Sequence, residues 1–158
     1  MEYKLTPKYF EELNVGDKFI TPSRTVTETD IVNFAGLSGD YNLIHTDEEY
    51  AKSMGFERRV AYGLLTIAIA QGLLFRLGLL DVNSLAFLSL ETNFTHWVLP
   101  GDTISCLVKV INKRQTKKPD RGILTLKIQV FNQRQELVAE ATQTFMYACI
   151  PKQVKNST

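Results

Sequence analysis

Asp40 and His45 are the two residues best placed for proton chemistry. They stand five positions apart in the stretch Phe34-Ala35-Gly36-Leu37-Ser38-Gly39-Asp40-Tyr41-Asn42-Leu43-Ile44-His45. The glycines, Asp40 and Asn42 make this stretch a poor helix interior and a good turn. A carboxylate and an imidazole held at one turn are a pair that general acid and base catalysis uses. A lone turn aspartate more often bonds neighbouring backbone amides, so the pair needs a pocket and an electrophilic partner from elsewhere in the chain. Asn42 is read as a backbone-bonding residue that keeps Asp40 and His45 on one side.

The flanking segments must position that pair. Thr27-Glu28-Thr29-Asp30 has the capping threonine and first-turn acids of a helix start, and Ile31, Phe34, Ala35 and Leu37 give the helix an apolar face ended by Ser38-Gly39. Thr46, three residues before Glu49, predicts a capping box and a second short helix through about Met54, with His45 just ahead of it. Val60–Leu80 is mostly apolar and predicts a long buried helix over about 61–77. Gly63 at its start permits a sharp turn and close approach to free amides, which suit developing negative charge. Close helix packing would use the same glycine equally well.

Beyond that helix the apolar period changes to two. Leu88, Leu90, Thr92 and Phe94 form one alternating set; Ile104, Cys106, Val108 and Val110 a second; Leu124, Leu126, Ile128 and Val130 a third; and the run 137–148 a fourth. Pro100-Gly101-Asp102, Pro119-Asp120-Arg121-Gly122 and Asn132-Gln133-Arg134-Gln135 are the turns. An extended stretch over 13–26 contains Pro22, which places it at a sheet edge or a bulge. The fold class is therefore α+β, a curved antiparallel sheet around one long helix.

Composition narrows the class of protein. A chain of 158 residues with 44% hydrophobic and 22% charged residues is expected to form one domain with a substantial core. A net charge of +1 gives no argument for nucleic acid. Cys106 and Cys149 make no disulfide framework and read as small buried hydrophobes. Met1–Phe10 has no apolar run and so no signal-peptide character, which makes a cytoplasmic location the expectation. Arg76, Gln71 and three glycines argue against a membrane span in 60–80. Lys152–Thr158 reads as a polar tail. His96, the second histidine, lies beside Trp97 with no acid adjacent and reads as structural or surface.

Ser38-Gly39-Asp40-Tyr41-Asn42-Leu43-Ile44-His45, with Ala51 at a following small position, resembles the hydratase motif of the MaoC-like hydratases. These hot-dog-fold proteins include the (R)-specific enoyl-CoA hydratases, and the resemblance covers roughly residues 10–148. Leu43 replaces the family's usual proline, and Tyr62-Gly63 stands where His-Gly is common. What the resemblance implies is reversible addition of water to a trans-2-enoyl thioester. Asp40 and His45 would handle water and protons, and the Gly63 amide would hold the thioester oxygen. Asn42, Tyr62 and Gln71 are the expected substrate-side residues. Neither metal nor redox cofactor is expected, since coenzyme A arrives as part of the substrate. The implied partners are acyl-CoA and a second copy of the chain, in a homodimer or higher assembly. Lys109, Lys113, Arg114, Lys117 and Lys118 read as a solvated basic turn, with a coenzyme A phosphate contact as the other reading. A hot-dog acyl-CoA thioesterase and a non-catalytic acyl-CoA-binding subunit remain alternatives.

Overall fold

The computed structural model describes residues 7–151. Alternation in the second half of the chain becomes an antiparallel sheet of β1 (Lys18–Ile20), β2 (Arg24–Thr25), β3 (Ser84–Phe94), β4 (Thr103–Gln115), β5 (Arg121–Phe131) and β6 (Leu137–Ala148). The strand order is β1-β4-β5-β6-β3, with β2 pairing a further part of β4. Strands β1 and β2 flank Pro22, which interrupts the extended stretch as expected of an edge.

One face of the sheet carries the core. Ile104, Cys106, Val108 and Val110 of β4 and Leu124, Leu126, Ile128 and Val130 of β5 are all buried. They face α4 (Gly63–Phe75), whose Leu65, Ile67, Ile69, Leu73 and Leu74 are buried in the same cluster. Each such side chain contributes about 1.5–3 kcal/mol on leaving water. At 13 residues α4 is long enough to cross the sheet; among the described residues no helix is long and apolar enough to cross a membrane. The architecture is the helix-in-curved-sheet form of the hot-dog fold.

The helices before α4 follow their caps. Helix α1 (Glu28–Ser38) begins with Thr27 and Asp30 in a reciprocal capping box and ends at Gly39, whose φ of 73° is left-handed. Leu37 differs from expectation: it is 83% exposed, because α1 buries only Ile31 and Ala35 fully. The second helix also starts differently. Asp47, not Thr46, caps α3 (Glu48–Ser53), its carboxylate accepting from Tyr50 N at 3.0 Å. Thr46 instead ends a separate single turn, α2 (Leu43–Thr46), and its hydroxyl donates back toward Tyr41 O and Asn42 O. His45 thus sits inside a short helix rather than ahead of one.

In β3 the apolar residues are not covered. Leu85, Phe87, Leu88, Leu90 and Phe94 are between 39% and 50% exposed. The physical reason is position: β3 pairs with β6 along one side, and among the described residues no strand pairs with its other side. Both cysteines are buried and unpaired, and burial pushes the Cys106 thiol up to about 12. The expected polar tail, Lys152–Thr158, lies outside the described residues, as do Met1–Thr6.

The turn at Asp102 locks the sheet's far end. Its carboxylate accepts from Leu99 N (2.9 Å), Gln133 Nε2 (2.7 Å) and Arg134 Nη1 (3.0 Å), joining the β3–β4 and β5–β6 connections. Burial acts to raise the Asp102 carboxyl, but these donors together outweigh it and hold the group below its usual value. A lowered folded-state pKa contributes stability above the unfolded carboxylate pKa, and that stability is lost as pH falls through the lowered value. Asp102→Asn is therefore expected to lower stability by about 1–3 kcal/mol at neutral pH. The gap between its thermal unfolding curve and the wild type's should close on acidification below about pH 4.

Candidate active site

The Asp40–His45 turn is built by successive local hydrogen bonds. Ser38 Oγ donates to Phe34 O and accepts from Asp40 N. Asp40 Oδ1 accepts from Asn42 N at 3.1 Å, and Asn42 Oδ1 accepts from Ile44 N at 3.2 Å, capping α2. Leu43 takes the first position of α2, where the backbone N–H lacks an intrahelical partner and proline is favoured. The bend therefore forms without proline, fixed by Asn42 at the start and by the Asp47 N to Leu43 O bond (2.8 Å) at the end. Ala51, the small residue of the motif, is fully buried.

The imidazole of His45 is held by its Nδ1, 2.7 Å from Val60 O. A carbonyl can only accept, so Nδ1 carries the proton and Nε2 is left free to accept one. Tyr62 fixes the ring from the side: its ring centroid is 3.8 Å from that of His45, and its hydroxyl donates to the Asp40 carbonyl at 2.7 Å. Burial, then the charge of Asp40, raises the Tyr62 hydroxyl above its ordinary pKa, so it serves as a neutral donor. Asp40 and His45 share no hydrogen bond with each other; they meet through Tyr62.

A cavity of about 510 Å³ opens beside His45, walled by residues that include Phe56, Val60, Gly63, Leu64 and Phe94. Helix α4 begins on this wall, and Tyr62 at its N-cap offers no side-chain cap. The Gly63 amide therefore has no acceptor among the described residues and remains available at the positive end of the helix. A Cβ at Gly63 would lie 2.8 Å from Cζ of Phe94, so a side chain there requires the Phe94 ring to shift. Two backbone bonds assemble the walls. Val60 N donates to Ile44 O (3.0 Å), and Ala61 N donates to Val98 O (2.8 Å), tying α2, the start of α4 and the β3–β4 connection together. Arg58 and Arg59 fasten the preceding loop to α1 through Glu28, at 2.9 and 2.5 Å.

Of the sequence-predicted residues, His45 and Gly63 line the cavity. Asp40 is exposed on the adjoining turn, and Asn42 caps α2. Tyr62 is buried beneath His45 and does not line the cavity. Gln71 lies about two turns further along α4, away from the lining, with its amide oxygen buried and without a hydrogen-bond partner. The basic group is likewise elsewhere: Lys113 Nζ donates to Leu13 O and sits 4.6 Å from the Phe10 ring centroid, anchoring the N-terminal segment. His96, expected to be structural or at the surface, lines the cavity instead, and Phe56 and Trp97 are among the lining residues that sequence reasoning did not assign to it. His96 is stacked on Trp97 at 4.3 Å, and Phe56 is edge-on to Trp97 at 5.5 Å. The one available signal was the pair of aromatic rings just before the Pro100-Gly101-Asp102 turn.

Comparison with known proteins agrees with this geometry. The family model described as MaoC like domain matches residues 11–149. Protein MaoC of Klebsiella aerogenes is 44% identical over 116 residues, covering 73% of this chain, which spans only 33% of that relative's length. An (R)-specific enoyl-CoA hydratase of Rhodospirillum rubrum is 34% identical over 114 residues, covering 70% of this chain and 74% of that protein. The crystal structure of a monoamine oxidase regulatory protein from Archaeoglobus fulgius superposes with a TM-score of 0.84 at 36% identity, covering 92% of this chain and 97% of that one. Matched by that family model over nearly all of its described residues, the chain belongs to the MaoC-like dehydratase family.

Proposed function

We propose that the protein is a hydro-lyase that reversibly adds water to a trans-2-enoyl thioester, giving the (R)-3-hydroxyacyl thioester, with coenzyme A esters as substrates. The observation that carries this reading is the pairing, on one cavity, of a His45 imidazole with free Nε2 and the unpartnered N-terminus of α4. Hydration requires oxygen to bond to C3, a proton to reach C2, and the charge shifted onto the thioester oxygen to be held. His45 Nε2 accepts a proton from the attacking water and returns one to C2, and Asp40, on the adjoining turn, shares in handling that water. The Gly63 amide holds the oxygen as it becomes enolate-like. Tyr62 positions both proton-handling residues instead of touching substrate.

The same reading makes the working form a homodimer. Half-exposed apolar residues on β3 and the exposed Leu64 and Phe75 of α4 supply a surface that a second copy would cover. Coenzyme A rather than a carrier protein as the thioester's handle is part of this proposal.

Loss of ultraviolet absorbance from crotonyl-CoA measures the reaction directly. Wild-type protein is expected to hydrate it, and His45→Ala and Asp40→Asn should each lower kcat by about 10²–10⁴-fold. No absorbance change across short and long enoyl-CoAs would sink the proposal. Gly63→Ala keeps the amide but pushes on Phe94, so it should cost up to about 10²-fold through misplacement alone. Phe94→Ala in the same chain should return much of that loss.

A further inference from the structure

The polar groups on the cavity wall differ in what they have left to offer a ligand. Thr66 Oγ1 donates to Tyr62 O at 3.1 Å, and Thr95 Oγ1 donates to Leu137 O, so both hydroxyl protons are committed to backbone. His45 Nδ1 is committed to Val60 O. His96 is different. Its backbone N–H bonds Val138 O at 3.3 Å, but neither ring nitrogen has a hydrogen-bond partner among the described residues. Glu136 is no partner for the ring, being engaged by Asn132 Nδ2 at 2.6 Å and Arg134 Nε at 2.8 Å.

The ring is nevertheless held. It is partly buried and stacked 29° from parallel on Trp97, which Phe56 meets edge-on at 85°. An imidazole stacked on the cavity wall, with both nitrogens unpartnered by other side chains or backbone, is available to hydrogen-bond a ligand. It is also the chain's second histidine, 51 positions from the first, brought to the same cavity.

We infer that His96 is a substrate-binding residue that hydrogen-bonds a carbonyl or carboxylate oxygen of the substrate other than the thioester carbonyl. This rests on the hydratase reading, in which the thioester oxygen goes to α4 and the water to His45. The oxygen has two sources: a carboxylate at the far end of the acyl group, or an amide carbonyl of the carrier arm. Both supply an acceptor to an imidazole N–H.

Steady-state kinetics of wild type, His96→Leu and His96→Asn with crotonyl-CoA and with its carboxyl-ended four-carbon counterpart, fumaryl-CoA, tests the inference. His96→Leu should raise KM about tenfold with kcat within about twofold, and His96→Asn, which keeps a donor, should recover most of the loss. A rise confined to fumaryl-CoA assigns the acyl carboxylate, and an equal rise for both esters assigns the carrier arm. An unchanged KM for both, or a fall in kcat at constant KM, overturns the inference. If the wild type turns over neither ester, the hydratase reading fails. Calorimetric titration of the same esters then decides about His96: weaker binding to His96→Leu supports its role, and equal binding, or none to either protein, overturns it.

Discussion

Two consecutive residues, Val60 and Ala61, hold the functional half of the molecule together. Val60 donates to Ile44 and accepts from the His45 ring, and Ala61 donates to Val98. Three backbone groups thereby join the one-turn helix, the central helix and the strand connection. Both side chains are buried, so the bonds are shielded from competing water. The tautomer of His45, the direction in which α4 enters the core and the placing of the aromatic wall all follow from this short extended link. It resembles one rung of a sheet, yet it sets the imidazole at the cavity.

Around that link the structure separates a packed core from an exposed turn. The core strands and α4 present a dense apolar contact in which nearly every inward residue is buried. The turn from Ser38 to Asn42 lies exposed on its surface, shaped by side chains that bond their own neighbouring amides. Such a turn has few long-range contacts to hold it. Tyr62, reaching from the foot of α4 to the Asp40 carbonyl, supplies one.

Much of the fold was legible because its signals are periodic. The alternating sets in β4 and β5 faced inward as read, and the caps at Thr27 and Gly39 bounded α1. Local chemistry was read less well where two residues compete for one role. Thr46 and Asp47 are both capping types, and the carboxylate one position later won because α2 had already taken Thr46 into its last turn. The site was legible where a motif runs continuously, from Ser38 to His45. Its far wall was not, because Phe56, His96 and Trp97 become neighbours only through long-range packing. Alternation was also insufficient in β3, where apolar side chains signal a strand but not whether anything covers it.

That uncovered strand has a consequence for the cavity. Phe94, the last residue of β3, bears on the position where a side chain of Gly63 would grow, and the chain continues from it directly into Thr95, His96 and Trp97. The free margin of the sheet and one wall of the cavity are thus a single length of backbone. Whatever braces that margin also bears on the width of the cavity, so contacts made along the sheet's edge and the fit of a ligand are mechanically linked here.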